Sequence, residues 1–181
     1  MSLDNKIVLV TGGSGLIGRE LVKDINCCGG RAINADVAVE TDLKNGTLFM
    51  DVTKDSSIHD GLKMIVDEYG HIDGLVNNAY PRTQDWGDKF EDIDPASWRV
   101  NIDMQLNIYF VCSQLVLKIM DNQKSGVIVN IASIYGVVGN DFTLYEDYGG
   151  TSPAAYSAIK GGVINFTRYL ASYYGRKGVR V

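Results

Sequence analysis

Short runs of apolar residues alternate along this chain with longer stretches in which apolar positions recur every three to four residues. The runs are rich in Val, Ile and Leu, which is typical of strands covered on both faces of a parallel sheet. The longer stretches have the period of an amphipathic helix. Strands are predicted at residues 6–11, 31–35, 48–50, 74–78, 127–132 and 178–181, and helices at 16–28, 55–69, 95–120 and about 153–174.

This alternation predicts one α/β domain over residues 1–181, built on a doubly wound parallel sheet. With 181 residues, of which 45% are hydrophobic and 22% charged, the chain is long enough to bury a substantial core. Residues 80–94 and 134–152 are polar and are expected to form loops. The last helix is expected to begin with Thr151 or Ser152 as its cap and Pro153 in its first turn.

Composition excludes several classes of function. The net charge of −5, with no basic block, makes nucleic acid an improbable partner. The three cysteines show no C-x-x-C spacing, so neither disulfides nor a metal site is expected. No apolar segment is long enough to cross a membrane, and the first strand begins too near Met1 to leave room for a signal peptide. We therefore expect a cytoplasmic protein.

A glycine-rich turn follows the first predicted strand. Its sequence is Thr11-Gly-Gly-Ser-Gly-Leu-Ile-Gly18, and a helix comes directly after it. Glycines allow a tight turn and a close approach of the backbone to a pyrophosphate, and the helix N-terminus offers free N–H groups to the phosphates. The order predicts that a dinucleotide binds here, with contacts from Gly12, Ser14, Gly15, Leu16, Ile17 and Gly18.

An acidic residue, Asp36, ends the second predicted strand, 18 residues after Gly18. A carboxylate at this distance can accept hydrogen bonds from the adenosine ribose. Its neighbours Ala35 and Val37 carry no positive charge to bind a 2′-phosphate. The sequence therefore predicts NAD as the cofactor, with NADP less favoured.

Polar residues or glycine stand at the ends of five predicted strands. In doubly wound sheets the carboxyl ends of the strands border the ligand crevice. A shared position of this kind predicts one site rather than five unrelated residues. The residues are Gly12, Asp36, Asp51, Asn78 and Ser133.

Tyr156 and Lys160 lie four residues apart in the last predicted helix, and therefore on one face of it. A phenol ordinarily titrates near pH 10, and a fixed ammonium nearby favours the phenolate and makes the group a usable acid/base. The same spacing also occurs between ordinary surface residues, so the pair acquires meaning from the strand-end residues before it.

Taken together, these motifs resemble the short-chain dehydrogenase/reductase family over the whole chain. The matching parts are Thr11-Gly12 to Gly18, Asp51-Val52, Asn77-Asn78-Ala79, Ser133 and Tyr156-x-x-x-Lys160. The resemblance implies a Rossmann-type, three-layer α/β/α fold. It also implies that the chain is truncated after the start of the sixth strand, before a segment that covers the substrate.

The resemblance further implies roles for individual residues. Asp51 and Val52 would contact the adenine, and Asn78 and Ala79 would line the path of the adenosine ribose. Tyr156 would be the catalytic acid/base. Lys160 would bind the nicotinamide ribose and lower the pKa of the tyrosine, and Ser133 would bind the substrate oxygen. The expected reaction is hydride transfer between nicotinamide and an alcohol/ketone pair.

Four features depart from the family pattern. The glycine spacing is that of the extended, sugar-nucleotide-modifying branch, with Leu16 where the classical branch has glycine. Tyr80 replaces a glycine and is expected either to narrow the mouth of the site or to pack inward. Gln105 stands where the family has a catalytic asparagine, and could hold a relay water. An insert of about ten residues, 141–150, carries three acids and two tyrosines, and either recognises a polar substrate or is a solvated loop.

Alternative functions stay open at this point. A weaker resemblance to bacterial reductases of flagellin modification and surface glycans favours a sugar-derived substrate. A regulatory or scaffold protein that binds a nucleotide without turnover is the main alternative, and a nucleotide-sugar epimerase or dehydratase is another. The family's usual contact surface implies a homodimer or homotetramer, through the helix that carries Val100, Leu106, Phe110 and Leu117 and through the Tyr156 helix.

Overall fold

Six parallel strands form a single sheet in the order β3-β2-β1-β4-β5-β6. A computed structural model describes residues 2–148 and 151–181, with the side chains of 146–148 left out. The strands are β1 (Ile7–Thr11), β2 (Arg31–Asp36), β3 (Thr47–Phe49), β4 (Gly74–Asn77), β5 (Gly126–Asn130) and β6 (Val179–Arg180). The prediction of a doubly wound parallel sheet is confirmed.

Helices cover both faces of this sheet. They are α1 (Leu16–Cys27), α2 (Asp55–Tyr69), α3 (Pro95–Ile102), α4 (Ile108–Gln123) and α5 (Ala154–Tyr174). Successive residues of β1 point to opposite faces, so Val8 and Val10 pack with apolar side chains of α1, whereas Ile7 and Leu9 join the larger core with α2, α4 and α5. The arrangement has three layers, as the resemblance implied.

The long helix predicted over residues 95–120 is not continuous. It is divided into α3 and α4 by a π-helical turn, Asp103–Asn107, in which the hydrogen bonds span one residue more than in an α-helix. Apolar periodicity continues through such a turn, which explains why the sequence pattern did not reveal it. The turn contains the candidate residue Gln105.

The start of α5 also differs from the prediction. Pro153 occupies the N-cap position and no side chain caps the helix. Ser152 is buried, and its hydroxyl accepts a hydrogen bond from the side chain of Asn140. The preceding loop contains two 3-10 turns, Ile134–Gly136 and Phe142–Tyr148. The expected contribution of Glu146, Asp147 and Tyr148 to substrate recognition lies outside the described side chains.

The strand that follows β1 lies on one side of it in the sheet, and the strand that follows β4 lies on the opposite side. β1 lies between β2 and β4, and the order of the strands reverses at this point. A crevice therefore opens at the carboxyl ends of β1 and β4, where ligands bind in doubly wound sheets. In the part of the chain that the structure describes, no helix combines the length and the apolar character needed to cross a membrane.

Candidate active site

Two positions in the turn between β1 and α1 have no room for a side chain. Gly12 has a φ of +66°, and a Cβ atom there would lie 2.8 Å from the Cα of Ala79. A Cβ atom on Gly18 would lie 2.2 Å from the carbonyl oxygen of Gly12. Gly15 is less restricted, because its Cβ would be 3.3 Å from that oxygen. The backbone is thus folded tightly enough for a phosphate to approach the start of α1.

Asn78 fixes this turn to the end of β4. Its side-chain amide donates to the carbonyl oxygens of Thr11 at 3.0 Å and Gly12 at 3.1 Å. In return, the Thr11 hydroxyl oxygen accepts the backbone N–H groups of Asn78 at 3.0 Å and Ala79 at 3.1 Å. These four hydrogen bonds hold two strand ends together. Asn78 therefore holds the glycine-rich turn in place from the end of β4.

Asp36 lies at the far side of the turn. Its two carboxylate oxygens accept the backbone N–H groups of Ser14 and Ala38, each at 3.0 Å. A carboxylate has about four lone-pair positions, so each oxygen can accept one further hydrogen bond. This remaining capacity is what recognition of two ribose hydroxyls requires.

Asp51 follows β3 and is held by its neighbours. It pairs with the ammonium of Lys54 at 2.8 Å and accepts the hydroxyl of Thr53 at 2.6 Å. The hydrogen bonds from Lys54 and then Thr53 keep the pKa of the Asp51 carboxyl below its usual value. The adjacent Val52 is buried. Asp51 and Val52 together provide one fixed anion and one apolar side chain.

A single cavity of about 880 Å³ connects these residues with the Tyr156 helix. It runs from the glycine turn and Asp36 to the side chains of Tyr156 and Lys160. Leu16 and Ile17, which are 79% and 54% exposed, lie along it. The predicted residues that line the cavity are Gly12, Gly15, Leu16, Ile17, Asp36, Asp51, Val52, Asn78, Ala79, Tyr156 and Lys160. Ser14, Gly18, Ser133 and Gln105 do not line it.

Lys160 is buried, with 5% of its surface exposed. Its ammonium donates to the carbonyl oxygen of Ile131 at 2.6 Å, and the Tyr109 hydroxyl donates to the same oxygen at 3.4 Å. The ammonium also lies 5.6 Å from the centroid of the Tyr156 ring. Burial lowers the pKa of Lys160 to about 8. Tyr156 therefore has a desolvated cation as its neighbour.

Ser133 lies just beyond β5, in extended conformation, at the start of a 3-10 turn. Its hydroxyl oxygen accepts the backbone N–H of Tyr135 at 3.2 Å. The hydroxyl hydrogen can still be donated. The fifth strand, predicted over residues 127–132 with Ser133 at its end, instead ends at Asn130.

Gln105 is 2% exposed and lies in the π-helical turn, four residues before Tyr109. Neither its amide oxygen nor its amide nitrogen has a hydrogen-bond partner among the described residues. A buried amide without partners is rare and costs free energy. Asn101 and Asn107, the neighbouring asparagines, are instead bound within the protein, to Thr83 and Ser97 and to Asp103.

Tyr80 was expected to reshape the mouth of the site or to pack inward, and it does some of both. Its ring lines the cavity and also contacts Trp86 and Tyr156 edge to face. Sequence reasoning missed Trp86, Tyr109 and the carbonyl of Ile131. Tyr80 in place of the expected glycine was the signal for an aromatic cluster, whereas nothing marked Trp86 within the loop of residues 80–94.

Among the described residues, no group of three His, Cys, Asp or Glu side chains could hold a metal ion.

Comparison with known proteins identifies the family of this chain. The family model for short chain dehydrogenases matches residues 6–181. The chain belongs to the short-chain dehydrogenase family. Members of this family are oxidoreductases that use a nicotinamide cofactor. The glycine turn and cavity have the form that such a cofactor requires.

Individual relatives extend this result. The chain is 32% identical over 193 residues to the post-translational flagellin modification protein A of Campylobacter coli, covering 99% of this chain and 75% of that one. It is 32% identical over 188 residues to a 7alpha-hydroxysteroid dehydrogenase of Bacteroides fragilis, covering 98% and 69%. A short chain dehydrogenase of Leptospira borgpetersenii, crystallised with bound NAD+, is 31% identical with a TM-score of 0.87, covering 99% and 70%.

Proposed function

We propose that this chain is the nucleotide-binding domain, over residues 1–181, of an oxidoreductase that interconverts an alcohol and a ketone. The observation that carries the proposal is the cavity that joins the glycine turn and Asp36 to Tyr156 and Lys160. A dinucleotide lying along it would have its adenosine near Asp36 and Asp51 and its nicotinamide near Tyr156.

In this proposal, Tyr156 exchanges a proton with the substrate oxygen. NAD(H), when bound, supplies the hydride chemistry at its nicotinamide ring. The ammonium of Lys160 lies 5.6 Å from the centroid of the Tyr156 ring and can bind a ribose hydroxyl. Ser133 stabilises charge on the substrate oxygen by donating its free hydroxyl hydrogen. Burial and the hydrogen bond to the Ile131 carbonyl oxygen already fix the position of Lys160.

Gln105 would complete the site through water. Its amide, which has no hydrogen-bond partner among the described residues, can hold a water molecule at the π-helical turn. In this proposal, such a water relays protons from Lys160. The amide of glutamine has the same donors and acceptor as that of asparagine, with one more methylene group to orient.

We further propose that NAD is preferred over NADP. The Asp36 carboxylate lies beside the backbone N–H of Ser14, where a 2′-phosphate would meet a negative charge. The neighbouring side chain, Val37, is exposed and uncharged. The bound NAD+ of the Leptospira relative is consistent with this choice.

For the substrate, we propose a polar ketone or alcohol, with a sugar-derived compound as the favoured class. The resemblance to the flagellin modification protein favours it. The polar insert, with Asp141 beside Thr143, would suit hydroxyl groups. The hydroxysteroid dehydrogenase relative acts on a different class of alcohol, so both classes belong in a screen.

The cofactor test is a fluorescence titration of the protein with NADH and NADPH, followed by turnover of keto-sugars and hydroxysteroids with NADH absorbance as the readout. We expect NADH to bind at least tenfold more tightly than NADPH. A scaffold protein would bind NADH and consume none with any substrate. An epimerase or dehydratase would convert a nucleotide sugar with no net change in NADH.

Assembly and location are proposed on the same family basis. Phe110 and Val100 are about half exposed, and Phe110 contacts Phe166 of α5. These side chains suit a homodimer or homotetramer through α3, α4 and α5. We propose a cytoplasmic location from the family resemblance alone. Leu117 cannot contribute to that surface, because it is buried in the core.

A further inference from the structure

Three aromatic rings meet at the Tyr156 end of the cavity. The centroid of the Tyr80 ring lies 5.6 Å from that of Trp86 and 5.8 Å from that of Tyr156. The Trp86 and Tyr156 centroids are 6.4 Å apart. The interplanar angles are 87°, 88° and 88°, which is the edge-to-face arrangement that aromatic quadrupoles favour. The ring of Tyr156 is therefore packed from the side as well as from its own helix.

Tyr80 also lies beside the ammonium of Lys160. The nitrogen is 5.8 Å from the centroid of the Tyr80 ring, a distance at which a cation is attracted to the electron-rich face of an aromatic ring. Tyr80 lines the cavity, whereas Trp86 lies behind it and packs against the core. Tyr80 thus touches both candidate catalytic side chains at once.

The loop that carries these two rings is fastened to α3. The buried side chain of Asn101 accepts the backbone N–H of Thr83 at 3.1 Å and donates to the Thr83 hydroxyl at 2.8 Å. It also donates to the carbonyl oxygen of Ser97 at 3.0 Å. Thr83 lies between Tyr80 and Trp86 in the chain, so these bonds fix the loop at its centre.

We propose that Tyr80 is a positioning residue, whose ring holds the phenol of Tyr156 and the ammonium of Lys160 in their reactive arrangement. This inference rests on the proposed function and assigns to that site a residue where the family has glycine. Burial, and then the neighbouring Tyr156, raise the pKa of the Tyr80 phenol to about 12. The phenol stays neutral near pH 7, so Tyr80 acts through the shape and the face of its ring.

Removal of the ring has a defined electrostatic consequence. Lys160 faces Tyr156 on its own helix, Tyr109 on α4, Tyr80 on the loop and the Ile131 carbonyl after β5. Within the described residues no carboxylate forms an ion pair with it, and burial is the cause of its lowered pKa. Water admitted in place of the Tyr80 ring would raise that pKa from about 8 toward 10.5.

The test compares Tyr80→Phe with Tyr80→Gly, and uses Phe90→Gly as a matched control, because Phe90 is an exposed aromatic of the same loop region. We expect Tyr80→Phe to keep kcat within about twofold, and Tyr80→Gly to lower it by about ten- to a hundredfold. The Kd for NADH is expected to change little in all three variants. Trp86→Leu, which removes the support behind Tyr80, is expected to lower kcat less, in the same direction.

A second readout does not depend on turnover. The Lys160 side chain is titrated by NMR of a ¹³C-lysine-labelled protein, with its signal assigned from Lys160→Met. We expect Tyr80→Gly to raise the midpoint by at least one pH unit and Tyr80→Phe to leave it in place. An unchanged kcat and midpoint in Tyr80→Gly would overturn the positioning role, as would an equal loss in Tyr80→Phe. If the wild type turns over no substrate but the midpoint still depends on Tyr80, the proposed function fails and the positioning stands.

Discussion

The two ends of the cavity are built by different means. At the nucleotide end, main-chain groups, the Thr11 hydroxyl and the Asn78 amide form a closed set of hydrogen bonds around Gly12. At the Tyr156 end, aromatic rings pack around the buried ammonium of Lys160. This ammonium donates a hydrogen bond to a carbonyl oxygen. One end is a satisfied network, and the other holds a desolvated charge. Gln105, whose buried amide has no hydrogen-bond partner among the described residues, lies outside the cavity lining in the π-helical turn.

This difference suggests that the two ends contribute differently to the stability of the fold and to catalysis. A satisfied hydrogen-bond network stabilises the fold and specifies one geometry. A buried cation and a bare amide cost free energy, and such costs concentrate where a protein performs chemistry. We therefore expect substitutions at the nucleotide end to weaken both the fold and cofactor binding. For Lys160 and Gln105, we expect substitutions that remove the buried charge or the buried amide to stabilise the fold while they reduce turnover.

The largest predicted effect is the loss of turnover in Tyr156→Phe. Loss of the phenolic proton removes general acid/base catalysis, which contributes about 10²- to 10⁴-fold. We expect kcat to fall by that factor in a stopped or continuous NADH assay. The ring remains and still packs against Tyr80, so the Kd for NADH is expected to stay within about twofold. A variant that retains full kcat would show that another group supplies the proton.

At the nucleotide end, Gly18→Ala is expected to raise the Kd for NADH by about tenfold or more and to lower the free energy of unfolding by about 1–3 kcal/mol. The new Cβ atom would lie 2.2 Å from the Gly12 carbonyl oxygen, so the turn must open. Gly15→Ala is the control for stability, because its Cβ meets that oxygen at 3.3 Å. Equal unfolding free energies for the two variants in urea titrations would contradict this description of the turn.

Much of the nucleotide end could be predicted from the sequence, because glycine and strand periodicity report directly on backbone geometry. The spacing of Gly12 and Gly18 restricts the turn, and the strand ends place Asp36 and Asn78 at the same edge. The prediction that Ser152 caps the helix was wrong. Its hydroxyl oxygen instead accepts a hydrogen bond from the side-chain amide of Asn140, twelve residues earlier. A cap is a local expectation, and a tertiary contact overrode it.

The Tyr156 end was predictable only in part. Helical spacing placed Lys160 beside Tyr156, but its contacts come from three other segments. The partners are Tyr80 on a loop, Tyr109 on α4 and the Ile131 carbonyl after β5. Side-chain packing between distant segments leaves no periodic trace. The π-helical turn that holds Gln105 was not predicted either, because its five residues, Asp103–Asn107, lie inside a longer helical pattern and carry no glycine or proline to mark a break.

Lys160→Met tests the cost of the buried cation. Because the pKa of Lys160 is about 8 in the folded protein and 10.5 ordinarily, its charge destabilises the fold fully below pH 8. Between pH 8 and 10.5 the unfolded chain binds more protons, so the wild type gains stability with rising pH. We expect the variant to be more stable at pH 7 by about 1–3 kcal/mol, an advantage that shrinks by pH 10.

The measurement is urea denaturation of both proteins at pH 7 and pH 9.5, in which titrating groups distant from Lys160 contribute equally to the two proteins and cancel. Met keeps the length of the aliphatic chain, and Tyr109 still donates to the Ile131 carbonyl. A constant difference across these pH values would mean that Lys160 titrates outside this window. A wild type that is the more stable protein at pH 7 would mean that the contacts of the ammonium outweigh its burial.

The smallest predicted effect has opposite signs for stability and turnover. Gln105→Leu removes two buried polar atoms that lack partners among the described residues, and is expected to raise the free energy of unfolding by about 1 kcal/mol. If the amide holds a relay water, the same change lowers kcat by about tenfold. Gln105→Asn keeps the amide and is the control, with kcat expected within about threefold of the wild type. A Leu variant that loses stability would show that the amide is satisfied by bound water, and one with unchanged kcat would remove Gln105 from the catalytic site.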